Sequence, residues 1–310
     1  MISDLMFQNA VMSSNLIADT TKITYLKHLR QVKRFMEPLG SSLFDILLKP
    51  KEVLKAYHRL VNNKTISLST AKSNITALGS LVKRAKEMKF DSPEMKRVEQ
   101  EWVENMKELS SIMQEKVEQN TLSEREKEAW VPYPEWFEMN TKLEQTENGS
   151  PRQLLIAFHC LISPPRGGDL AEVRFVKDDE NTSENTLVWN GVSNPARILV
   201  RDHKTAAKIP LISQELPDRL KESIQKSLSD NPRKYLFEDV GGNVYSRDGF
   251  CQWKNRQFKK LFGKPVTTNI ARHAYITYFD QNNSIQEQRE HASKMGHSLQ
   301  THHEYKKLVA

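Results

Sequence analysis

The chain has 310 residues, 38% of them hydrophobic and 27% charged, which excludes a disordered polyelectrolyte and allows two domains with real cores. Its apolar runs, such as Leu154-Leu155-Ile156-Ala157-Phe158, are too short to span a bilayer, no signal peptide is visible, and Cys160 and Cys251 form neither a disulfide framework nor a metal spacing, so an intracellular protein without membrane association is expected. The net charge of +7 is uneven: residues 1–92 hold 15 Lys/Arg against 7 Asp/Glu, residues 93–130 hold 6 against 10, and residues 131–310 hold 25 against 22, so a polyanion partner is expected at the N-terminal end.

Residues 1–120 read as almost wholly helical. In Thr21–Met36 the apolar residues Ile23, Leu26, Leu29, Val32 and Met36 recur near the helical period, while Lys27, Arg30 and Arg34 recur at three and four on another face. Leu68–Lys89 repeats this design, with Ala71, Ile75, Leu78, Val82 and Ala85 as the apolar stripe, Lys72, Lys83, Arg84, Lys86 and Lys89 around it, and Ser69 or Thr70 as N-cap. One face can bury while the other meets phosphates, although an amphipathic bundle with solvated lysines would show the same pattern. Residues 93–130 read as a charged helix and a linker, with a helix restart and capping box at Ser123 and Glu126. The domain boundary is placed near residue 125, giving domains 1–125 and 126–310.

The second part opens with helices at about 134–146 and 151–162, the latter apolar nearly all round and expected to be buried, with His159 and Cys160 as core residues. Thr186–Trp189, Ala196–Val200 and Lys208–Ile212 read as short strands, the first two separated by the turn signal Asn190-Gly191, and helical patterns resume after Pro217. The order of helices, a small antiparallel β-sheet and helices again defines a mainly α protein with an α+β second domain, not a doubly wound one.

No phosphate-binding glycine loop, dinucleotide fingerprint, zinc-protease helix or nucleophile elbow is present. Instead, basic residues are spread along the second domain and a tyrosine closes the series. Arg166 follows Ser163-Pro164-Pro165 at a turn before a short helix. Lys204 lies between two strand-like segments, with Arg201, His203 and Lys208 near. Arg272 and His273 follow Asn269, and Met295-Gly296-His297-Ser298 precedes Tyr305 by eight residues from the histidine.

This ordered set resembles the tyrosine recombinases, the phage-type integrases that break and rejoin DNA, and the resemblance covers nearly the whole chain. It implies a helical core-binding domain, with Thr21–Tyr25 near its opening, and an α+β catalytic domain. It implies Arg166, Lys204, Asn269, Arg272, His297 and Tyr305 as the catalytic residues, with Lys27, Arg30, Arg34, Lys72, Lys83 and Lys86 as DNA contacts. The chemistry agrees. Two arginines can fork onto the nonbridging oxygens of a phosphodiester, Lys204 can protonate the leaving oxygen, His297 can donate to the phosphate, and Tyr305 would carry the 3′-phosphotyrosine intermediate. Side chains that supply all the charge leave no need for a metal, ATP or another cofactor. The implied partners are double-stranded DNA and three further copies of the chain, as a homotetramer on paired sites, for DNA integration or recombination by a mobile element or virus. One position departs from the pattern: Asn269 stands where the family has a histidine, and Asn cannot carry a proton in transit. His273 can replace it only in part, because adjacent helical residues point about 100° apart. The competing readings are a monomeric type IB topoisomerase and a DNA-binding accessory protein with an impaired site. A zinc cluster of His291, His297, His302 and His303 is disfavoured because no Cys or carboxylate spacing supports it. Asp169 is read as a helix-stabilising or arginine-orienting carboxylate.

Overall fold

The structure is a computed structural model, and it describes residues 4–14, 19–87, 93–179, 182–281 and 283–308. These residues divide into two compact units, Met1–Gln119 and Asn120–Ala310.

The first unit is built from helices α1 (Asp4–Ser13), α2 (Asp19–Met36), α3 (Leu43–Leu47), α4 (Pro50–Asn62), α5 (Leu68–Glu87) and α6 (Pro93–Glu118), with a 3-10 turn at Glu37–Leu39. The stripe expected of α2 is buried at Leu29, Val32 and Met36, but Ile23, near the start of the helix, is 65% exposed. On α5 the stripe holds at Ala71, Ile75, Leu78 and Val82. The cap of α5 is neither Ser69 nor Thr70: the hydroxyl of Ser67 accepts the backbone N–H of Thr70, so the cap lies two or three residues earlier and the helix begins at Leu68. Trp102 of α6 is fully buried, and its indole N–H donates to the Leu47 carbonyl at 2.9 Å, satisfying a C-terminal carbonyl of α3.

The second unit runs α7 (Glu124–Ala129), α8 (Tyr133–Glu147), α9 (Pro151–Cys160), β1 (Arg174–Val176), β2 (Thr186–Val188), β3 (Arg197–Val200), β4 (Ile212–Glu215), α10 (Asp218–Asp230), α11 (Arg247–Phe262), α12 (Thr268–Phe279), α13 (Ile285–Lys294) and α14 (Leu299–Tyr305). Ser123 and Glu126 form the capping box that starts α7. Gln153 through Cys160 of α9 are all buried, which makes α9 the axis of the core. The fold class is the expected mainly α one with a small sheet, but the sheet is mixed. Its order is β1-β2-β3-β4, with β1 parallel to β2 and the other pairs antiparallel. The strand β1 is three residues long and half-exposed, too short to show a period. The last expected strand, Lys208–Ile212, is displaced: β4 starts at Ile212, and residues 203–209 make turns that join β3 to it. The segment after Arg166 is a run of turns rather than the expected short helix. No described helix is long and apolar enough to cross a membrane.

Replacing Trp102 with Ala removes a filled volume and strands the Leu47 carbonyl. A loss of about 3–5 kcal/mol is expected in denaturant unfolding of the full chain. A loss below about 1 kcal/mol would mean that the site collapses without cost.

Candidate active site

Arg272 is the centre of the site. It projects from α12, and as one of the largest side chains in the core it is only 1% exposed. Its Nη1 donates to the Pro164 carbonyl at 2.7 Å, and its Nη2 donates to the Met295 carbonyl at 3.0 Å and to Nδ1 of His297 at 2.9 Å. Its Nε is buried and has no partner. The guanidinium carbon lies 5.3 Å from the centre of the Tyr305 ring. Burial lowers the pKa of Arg272 from its usual value, opposed by the facing Tyr305.

Gly296-His297 is presented by local backbone chemistry. Helix α13 is capped at Met295, Gly296 takes φ +67°, the Gly296 N–H donates to Ser293 O, and the His297 N–H donates to Ala292 O, both at 3.0 Å. This is a Schellman motif, which favours glycine because a Cβ is strained at that φ. The freed Met295 carbonyl goes to Arg272, and the Gly296 carbonyl goes to Arg166 Nη2 at 2.8 Å and to the Thr205 hydroxyl at 2.9 Å. Both ring nitrogens of His297 have protein partners, Arg272 on Nδ1 and His302 on Nε2, so in this conformation the ring orients Arg272. Burial, with Arg272, His302 and Arg166 adding to it, pushes the pKa of His297 down to about 3.

Arg166 is half-buried and does not cap α9. Its Nη1 donates to the Thr205 hydroxyl at 2.9 Å, with His203 Nδ1 at 3.5 Å. Thr205 therefore joins the β3–β4 connection to the arginine turn. Asp169 is buried and makes no side-chain bond to Arg166. Burial raises its pKa against the pull of Arg166 and His203. Lys254, on α11, is another buried basic group: its Nζ donates to the Thr268 hydroxyl and to the Gly167 carbonyl, pinning the arginine turn to the start of α12. Burial brings its pKa down to about 8.

Tyr305 ends α14, which Ser298 caps through the Thr301 N–H. Its ring is stacked against His273, with centroids 4.5 Å apart, and against His297 at 5.3 Å. Nδ1 of His273 donates to the Tyr305 carbonyl at 2.7 Å, so His273 holds the end of α14. Beyond the tyrosine the chain returns to its own unit: the Lys307 N–H donates to Thr277 Oγ1 and the Leu308 N–H to the Asn120 carbonyl.

Four expected site residues thus converge: Arg166, Arg272, His297 and Tyr305. The other two are not tied to them: Lys204 is exposed and Asn269 is exposed in the first turn of α12, and among the described residues neither side chain makes a hydrogen bond or ion pair. On the first unit Lys27, Arg30 and Arg34 are exposed along α2 and Lys72 is half-buried on α5, while the side chains of Lys83 and Lys86 lie outside the described residues. Of the four histidines considered for zinc, His291 and His302 do meet, but on Asp280. One donor atom from each of the three falls within 4.8 Å of the others. His303 instead faces Gln288. Asp280, Thr205 and Lys254 were not legible as site residues, because each acts through a contact made far along the chain.

No family model matches the chain, and no curated protein matches it in sequence. Solved structures do match it. A lambda integrase dimer bound to a COC′ core site aligns over 98% of this chain and 76% of its own, with 14% identity and a TM-score of 0.62. A lambda integrase tetramer bound to a Holliday junction aligns over 97% and 75%, at 14% and 0.59. Lambda integrase residues 75–356 bound to DNA align over 92% and 89%, at 13% and 0.55. The resemblance read from the sequence therefore extends to the fold.

The buried histidines make stability pH-dependent. Burial holds His297 at about 3, His159 at about 3 and His273 at about 4 in the folded chain. Below the ordinary histidine value of about 6.5 the unfolded chain binds protons that the folded one does not, so stability falls with pH through that window. A loss on the order of 2 kcal/mol or more is expected between pH 7 and pH 4.5 in denaturant titrations, and a flat profile would contradict the buried neutral histidines.

Proposed function

We propose that the chain is a site-specific DNA recombinase of the integrase kind, cleaving one strand through Tyr305 and holding it as a 3′-phosphotyrosine. The observation that carries this reading is the convergence on the Tyr305 ring of Arg272, with its unpartnered buried Nε, and of Arg166 tied to the same turn through Gly296. A phosphodiester at this place would supply the acceptor that Nε lacks. It would also receive charge stabilisation from two guanidiniums whose orientation is already set. The tyrosine then attacks phosphorus as its phenolic proton passes to solvent, the P–O5′ bond breaks, and the leaving oxygen takes a proton. Lys204 is the assigned donor, and its exposed place on the β3–β4 connection leaves it free to reach an incoming strand. Rejoining reverses the same steps, so the energy of the broken bond is kept in the phosphotyrosine and no ATP is needed. The exposed basic face of α2 is assigned to duplex DNA phosphates. A homotetramer on paired sites, in the service of a mobile element or virus, completes the proposal.

The exposed Asn269, which cannot shuttle a proton, favours a second reading in which the chain binds DNA but cleaves slowly or not at all.

The two readings part in a trapping assay on a nicked duplex built from the element's own ends. The proposal expects a covalent protein–DNA band that Tyr305→Phe abolishes and that Arg272→Lys lowers by about a hundredfold or more. If wild type and Tyr305→Phe behave alike, the enzymatic reading fails. Binding should also weaken steeply with salt. Changing Lys27, Arg30 and Arg34 together to Ala is expected to reduce the slope of log affinity against log salt by up to about 3. An unchanged slope would remove α2 from the DNA interface.

A further inference from the structure

Behind Arg272 lies a chain of side chains that the reaction above does not use. His302, on α14, is fully buried. Its Nδ1 is 2.9 Å from Nε2 of His297, and its Nε2 is 2.5 Å from Oδ2 of Asp280, the residue that ends α12. Asp280 is 2% exposed, and its other oxygen lies 3.3 Å from Nδ1 of His291 and 3.5 Å from the amide of Asn283.

The direction of every bond follows from one fact: a guanidinium only donates. Arg272 donates to His297 Nδ1, so that nitrogen carries a lone pair. The proton of the neutral ring is then on Nε2 and is donated to His302 Nδ1. His302 in turn must carry its proton on Nε2, facing Asp280. We propose that Asp280 and His302 are positioning residues for strand cleavage, fixing the tautomer of His297 and through it the orientation of the Arg272 guanidinium. This rests on the recombinase reading for its role in cleavage, but the relay itself is a property of the fold.

The arrangement also makes electrostatic sense. Two neutral imidazoles link a buried cation to a buried anion. Burial opposes ionisation of Asp280, but hydrogen bonds from His291 and His302 outweigh it and hold the carboxyl below its usual range. In the opposite tautomer His297 would point an N–H at the Arg272 donor, and the guanidinium would have to turn away. A divalent cation on Asp280, His291 and His302 would force that opposite state. It would take the lone pair of His302 Nε2, move the proton to Nδ1, and set it against His297 Nε2.

The test uses the full-length protein labelled with 15N-histidine and 15N-arginine. At pH 7 the long-range imidazole spectra should show both His297 and His302 protonated on Nε2, and the Arg272 Nε resonance should shift in Asp280→Asn and in His302→Phe. Single-turnover cleavage at saturating nicked DNA should slow by about tenfold or more in both variants, with DNA affinity within about threefold of wild type. His302→Gln, which keeps a donor and an acceptor, should retain more activity than His302→Phe and guards against a fold that Phe disrupts. The proposal is overturned by a proton on His302 Nδ1 in the wild type, by stoichiometric zinc binding to the wild type that Asp280→Asn abolishes, or by variants that cleave at the wild-type rate. If the wild type forms no covalent complex, the recombinase reading falls. The relay is then judged on the spectra alone, and an unmoved Arg272 resonance in Asp280→Asn overturns it.

Discussion

The second unit is organised around a buried guanidinium. Arg272 is as hidden as the leucines around it, and a cation in that position is tolerated only with its hydrogens placed. Its three acceptors come from two segments: the Pro164 carbonyl after α9, and the Met295 carbonyl and His297 ring on the turn that closes α13. Satisfying one side chain therefore fixes the arginine turn, the end of α13 and the start of α14 against α12. Of its three nitrogens only Nε is buried with no partner at all, and Tyr305 covers the group.

The same constraint explains the surrounding residues. Gly296 must adopt a left-handed φ for its helix to end where Met295 can be capped by Arg272. A Cβ there would also stand 2.4 Å from Ile212. Arg166 reads the next carbonyl along, that of Gly296, so both arginines are referenced to one three-residue turn. Thr205 binds the same carbonyl from the β3–β4 connection, which brings the lysine-bearing loop to the site without touching the lysine itself. His273, adjacent to Arg272 but on another face of α12, holds the backbone of Tyr305. Each of these contacts joins residues far apart in the chain, so the site forms only when the whole unit is packed.

Much of this was legible before folding. The periodicity of α2 and α5 marked Leu29, Val32, Ile75 and Leu78 as core, because a helix shows its buried face in steps of three and four. Helix α9 announced itself as buried by being apolar all round. The ordered series Arg166, Lys204, Arg272, Gly296-His297 and Tyr305 carried the family resemblance, and the fold bears that resemblance out. Less was legible where local signals are short or degenerate. The strand β1 has too few residues for a period, the segment after Arg166 turns where a helix was expected, and Ser67 caps α5 from outside the apparent run.

What the sequence by itself determined was the set of elements and the chemistry available: amphipathic helices, a small sheet, two arginines suited to phosphate, and a tyrosine near the C-terminal end of the chain. These follow from local periodicity and from the fixed properties of side chains. Tertiary structure alone decided which groups meet. It placed His302 between His297 and Asp280, tied Arg166 to Gly296, buried Lys254 and left Lys204 in solvent. Proton positions on the histidines also belong to this level, because a tautomer is set by the partner across the hydrogen bond, and no stretch of sequence names that partner.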